Sequence, residues 1–172
     1  MTGRAWLAAG ALALVGGTGS ACHLKSYPAA VVPSQRDSLV GIVSVTGTSF
    51  EQRLVLRVND QSRALAASSA DSAALSRLGG VEVVVRGTSR IGAFEVATFE
   101  ALRVDGAPVA DGVLLRDGEH LALRTQHGRL VLGNPPAAFD TLIGARVWVG
   151  GPLDKGPNTY GVIAPSNRQS DP

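Results

Sequence analysis

Two stretches of this chain repeat one another: LSRLGGVEVVVRG over residues 75–87 and FDTLIGARVWVGG over residues 139–151. Aligned without gaps, they share Leu78/Leu142, Gly80/Gly144, Val83/Val147, Val85/Val149 and Gly87/Gly151. The valines alternate, which is the period of a strand with one face buried. The leucine and glycine ahead of them read as a helix end, with glycine supplying the backbone reversal. One small chain therefore builds the same helix-to-strand junction twice.

The segments around each copy repeat as well. Strands are expected over residues 39–46, 53–58 and 63–67, then a helix capped by Ser69 or Asp71 and ended at Gly79-Gly80. Strands over 81–86 and 93–104 follow, closed by an Asp105-Gly106 turn. The second half gives strands over 112–115, 120–125 and 129–132. Asp117-Gly118 is a hairpin signal, and Leu121, Leu123 and Arg124 restate Leu54, Leu56 and Arg57. A short helix then runs from a cap at Asn134 past Pro135-Pro136 to Leu142, before strands over 146–149 and 159–163.

Each half thus reads strand, strand, strand, helix, strand, strand. That order, with Leu-x-Gly-x-x-Val-x-Val-x-Gly at the junction, resembles the OB-fold over residues 39–104 and about 111–163. The resemblance implies a mainly β chain of two tandem five-stranded OB-like barrels, one at 39–107 and a smaller one at 108–164. In each, a short helix between strands three and four plugs one end. A single sandwich of about ten strands carries the same sequence signal and stays open as the alternative.

The N-terminus points to a location. Arg4 precedes an apolar run over residues 5–15 and a small-residue stretch over 16–21, the build of a secretory signal. The run is about half of the roughly 20 residues a spanning helix needs. Cys22, the only cysteine, follows directly. Ser20-Ala21-Cys22 resembles the lipobox of bacterial lipoproteins, although Gly19 stands where that pattern usually has leucine, and 19–21 also fit ordinary small-x-small cleavage. The lipobox implies a signal peptide over 1–21, acyl chains on Cys22 and a cell-envelope location on a bacterial membrane. Several chains anchor durably where one holds only marginally. His23 stands where some bacteria place an inner-membrane retention aspartate, which leans toward an outer membrane. Residues 22–38, with two prolines, read as a tether, and 165–172 as a frayed polar tail.

With 16 basic and 14 acidic residues, charge is nearly balanced, and cleavage before Cys22 removes Arg4. No basic surface for nucleic acid is indicated, and the strands expected to form an OB groove carry no aromatic platform. No Walker loop, dinucleotide fingerprint, HExxH motif or serine elbow is present. The densest polar cluster is RDGEHLALRTQH, with Asp117, Glu119, His120 and His127. Its spacing favours a hairpin turn and solvent-facing strand positions over a zinc site or acid–base pair. No catalytic residue, metal or cofactor is expected. Trp148, in register with Val84, should face away from its own barrel. It can pack on the first barrel, or with Tyr160 anchor a partner. Arg57 and Arg124 occupy matching surface positions. The expected role is a non-enzymatic envelope lipoprotein that binds or scaffolds a protein, glycan or small ligand. Loops 48–52, 89–92 and 151–158 would carry the contact. An envelope hydrolase or metal-binding protein using His120 and His127 is the alternative.

Overall fold

The computed structural model describes residues 37–48 and 51–166. The signal sequence expected over 1–21, Cys22, the expected tether up to residue 36 and the expected tail beyond 166 lie outside the described residues. The first half comprises β1 (Asp37–Thr46), β2 (Arg53–Val58), β3 (Gln61–Ala66), α1 (Ser69–Ser76), β4 (Glu82–Ser89) and β5 (Phe94–Val104). The second comprises β6 (Ala107–Asp117), β7 (His120–Thr125), β8 (Gly128–Leu132), the 3-10 helix η1 (Ala137–Leu142), β9 (Arg146–Gly150) and β10 (Thr159–Ala164). The chain is mainly β, and all ten strands belong to one sheet.

Pairing is antiparallel except between β3 and β5. In the first half β1 pairs with β2 and β4, β2 with β3, β3 with β5, and β5 with β4, so the ladders return to their start. In the second half β6 pairs with β7 and β9, β7 with β8, and β9 with β10. Among the described residues β8 and β10 share no ladder. Instead Gly133, just past β8, donates its N–H to Leu153 O at 2.7 Å, and Asn134 Nδ2 donates to Lys155 O at 3.3 Å. A Cβ on Gly133 would stand 1.9 Å from Asp154 O, so only glycine lets the 152–155 turn approach. Gly133→Ala is expected to cost about 1–3 kcal/mol through forced backbone movement. Faster amide exchange at Gly133, with the β4–β5 amides unchanged, is the signature; unchanged exchange at Gly133 would show that the turn needs no such approach.

The repeated phrase forms the same structure twice. Gly80 and Gly144 have φ of +84° and +88°, and their N–H groups donate to Val43 O at 2.9 Å and Leu114 O at 2.8 Å. Val43 N and Leu114 N reciprocate to Val81 O and Ala145 O. Val83, Val85, Val147 and Val149 are all fully buried. Two cores result. One gathers Val43, Leu56, Leu75, Leu78, Phe94 and Phe99, and the other Leu114, Leu121, Leu123, Leu132, Phe139 and Val147. They are joined, because Ile163 of β10 is buried in the first core and Trp148 packs against it.

Several expected details change. The cap of α1 is Ser68, whose Oγ accepts from Asp71 N at 3.1 Å and donates to the Asp71 carboxylate at 2.7 Å. Helix η1 is 3-10 rather than α and starts after Pro136 with no side-chain cap. Asn134 takes φ +38° and turns its amide to Lys155 instead. Asp37 and Ser38, expected in the tether, pair with Gly87 and Arg86. The first strand of the second half, expected over 112–115, begins at Ala107 because its start pairs with β5 and β9. The boundary expected between 107 and 108 therefore falls inside a hydrogen-bonded hairpin.

Candidate functional site

The Asp105-Gly106 turn, with φ of +49° and +78°, folds β6 back on β5 so that Val104 faces Ala107 and Arg103 faces Pro108. This brings Asp111 of β6 beside the end of β5. Asp111 is 4% exposed, and its Oδ2 accepts the N–H of Ala101 at 2.8 Å. Arg146, which opens β9, donates from Nε to Oδ1 and from Nη2 to Oδ2, both at 2.8 Å. Nη2 also reaches Phe99 O at 2.6 Å, and the guanidinium lies 4.2 Å above the Phe99 ring. A buried carboxylate persists only when its charge and lone pairs are met. A bidentate arginine and a backbone N–H meet them here, and the Phe99 ring face in turn supports the arginine's charge.

Glu100 lies next to this pair and is 8% exposed. His127 Nε2 stands 3.2 Å from its Oε1, and Arg86 Nη1 3.8 Å from its Oε2. Nη1 of Arg86 is buried with no hydrogen-bond partner. His127 sits in the β7–β8 turn, and its neighbour Gln126 donates to Phe99 O at 3.5 Å. The hairpin tip thus rests on β5. Beneath it lies a cleft of about 250 Å³, lined by Glu100, Val109, Ala110, Thr125, His127 and Leu130 among others. The flanking cavity, about 280 Å³, includes Arg124 and Arg146.

The residues singled out from sequence do not all meet there. Arg124 is exposed and borders the flanking cavity, while Arg57 is exposed on β2, facing Ile42 in the register. Their backbones match: a Cβ on Gly41 or Gly112 would come 2.3 or 2.8 Å from the carbonyl oxygen of Arg57 or Arg124. Among the described residues neither arginine forms an ion pair. Trp148 faces away from its own core, as expected, and is half-buried against the first. Gly161 leaves room for its indole, since a Cβ there would lie 2.4 Å from Nε1.

Tyr160 does not extend that surface. It pairs with Val149, whose side chain is in the second core, and meets the Phe139 ring edge-on at 4.8 Å between centroids. Neighbours along a strand face opposite ways, so Trp148 and Tyr160, in registry with Gly161 and Val149, lie on opposite faces of the β9–β10 ladder. They form no common patch.

His120 and His127 flank β7 at opposite ends, roughly 20 Å apart by strand rise. His120 is exposed and borders a separate cavity with Glu119, Asp140 and Asp154, while Asp117 is held by Arg129 at 2.8 Å. Among the described residues no group of three or more His, Cys, Asp or Glu is placed to hold a metal ion, and no helix is long and apolar enough to cross a membrane. Loop 48–52 is only partly described, the 89–92 turn carries the exposed Ile91, and 151–158 folds onto Gly133 and Asn134.

Comparison with family models, curated proteins and solved structures found no match. The site therefore rests on its own geometry. Glu100, Asp111 and Arg146 were not singled out from sequence. One signal was available: Arg146 stands in the repeated phrase where the first copy has Glu82, a charge reversal at equivalent positions.

Proposed function

We propose that this protein is a non-enzymatic cell-envelope lipoprotein, anchored through Cys22, whose folded part is a binding module built from two OB-like barrels. Support for the barrels is the order of pairings. β1-β2-β3-β5-β4 closes on itself, and β6 to β10 repeat that order with the 152–155 turn standing in for the last ladder. An OB-fold takes ligands on the face of its second and third strands. In the second half those strands are β7 and β8, and the cleft with Glu100 lies against them. That cleft, with a nine-tenths-buried carboxylate in its wall, carries the reading. The partner classes that fit are an envelope protein, a glycan or a small ligand. The hydrolase or metal alternative draws nothing from the geometry, because His120 and His127 lie at opposite ends of β7.

The anchor is tested by the mass of the N-terminal peptide of membrane-purified protein. Acyl chains on Cys22 are expected, and Cys22→Ala should move the protein from the membrane to the soluble fraction. An unmodified Cys22, or a Cys22→Ala protein still in the membrane, overturns the anchor. The cleft is tested separately below.

A further inference from the structure

We infer that the cleft under the β7–β8 hairpin binds an alkylammonium group, with Glu100 as its counter-ion and Val109, Ala110 and Leu130 along its methylenes. This rests on reading the cleft as a binding site and adds the chemistry of the ligand. The charges around the cleft are unevenly committed. Asp111 is fully answered by Arg146 and Ala101 N. Arg129 is held by Asp117 at 2.8 Å. Arg86 stands 3.8 Å from Glu100, close enough to attract and too far to donate a hydrogen bond. That leaves Glu100, nine-tenths buried, with the His127 ring nitrogen at 3.2 Å as its nearest ion-pair neighbour. The His127 side chain is 74% exposed, on a turn, and can be displaced at little packing loss. An ammonium brings three donors and a full charge to the same oxygens.

Of the other lining residues Asp111 and Arg129 are already paired, and Val109, Ala110 and Leu130, the last 41% exposed, give the wall an apolar stretch. An ammonium with a short aliphatic chain matches both parts, whereas an anion would face Glu100 directly. The volume, about 250 Å³, is below the roughly 300–1,000 Å³ of sites that hold drug-sized molecules. A ligand the size of a side chain fits. Two sources supply that group, a free aliphatic amine or a lysine side chain presented by a partner.

The test is titration of the full chain with n-pentylamine, 1-pentanol and the blocked tripeptide acetyl-Ala-Lys-Ala-amide, read by methyl and amide NMR shifts. Saturable shifts at Val109, Ala110, His127 and Leu130 are expected with the amine. Pentanol should bind at least about tenfold more weakly, the scale of one charge-assisted hydrogen bond. Glu100→Gln should erase that difference. His127→Ala should tighten the amine, because the histidine competes for the same carboxylate; a merely structural His127 would weaken it. Tripeptide binding tighter than pentylamine identifies a presented lysine, and the reverse order a free amine. Equal binding of pentanol and pentylamine to the unmutated chain overturns the ammonium assignment and leaves the cleft standing. No saturable shift at the cleft with any probe overturns both.

Discussion

Asp111→Ala is expected to lower the thermal midpoint by roughly 10–20 °C. Breaking one side of a buried ion pair costs about 3–5 kcal/mol, because the other charge is left stranded. Here the stranded group is Arg146, pressed over the Phe99 ring, and Ala101 N loses its acceptor in the same change. In a domain of this size each kcal/mol moves the midpoint by several degrees. The double variant Asp111→Ala/Arg146→Met should recover part of the loss, since it removes the unpaired charge and keeps an apolar chain on Phe99. Arg146→Lys should fall between them, because an ammonium cannot make the two-oxygen contact and reach Phe99 O as the guanidinium does. Calorimetry on the three variants checks this. A shift under about 2 °C for Asp111→Ala would mean that the pair contributes little to stability.

The same residues show where the sequence was legible and where it was not. Strand alternation, turn dipeptides and the repeated junction located all ten strands and both helices, because these features are local: each is set by neighbours within a few residues. What was missed depends on partners far along the chain. Asp111 lies just ahead of the strand expected from Gly112, yet it is inside β6 and its carboxylate is met by Arg146, 35 residues on. Glu100 turns to solvent in a strand template phased on Phe99 and inward in one phased on Phe94 and Val96, so alternation alone leaves its face open. The β7–β8 turn, which brings His127 to 3.2 Å from the Glu100 carboxylate, and Arg86 of β4 are the neighbours that cover it. Trp148 was read correctly as facing out of its own half, since that needs only register. Its separation from Tyr160 was missed because it depends on the β9–β10 register, which sets Tyr160 opposite Val149 rather than Trp148. The change from α to 3-10 in η1 follows from Pro135-Pro136 and a short span before the Gly144 reversal.

Phe139→Ala distinguishes two independent halves from one cooperative unit. Phe139 is wholly buried in the second core against the edge of Tyr160, and its truncation should cost about 3–5 kcal/mol. If the halves folded independently, only amides of the second core would lose exchange protection. The packing argues otherwise. Ile163 of β10 completes the first core, and Arg77 Nη1 from the end of α1 donates to its carbonyl at 3.3 Å. Trp148 lies on that core too, and Arg146 holds Phe99 O. Unfolding the second half would therefore strip the first of an aliphatic side chain and an aromatic cover. It would also strand Ala101 N, whose acceptor Asp111 leaves with β6. Phe139→Ala is expected to reduce protection at Val83 and Val85 as well as at Val147 and Val149, with one shared thermal transition. Loss confined to Val147 and Val149 would mean that each half holds its own fold, with the hairpin at Asp105-Gly106 acting as a hinge.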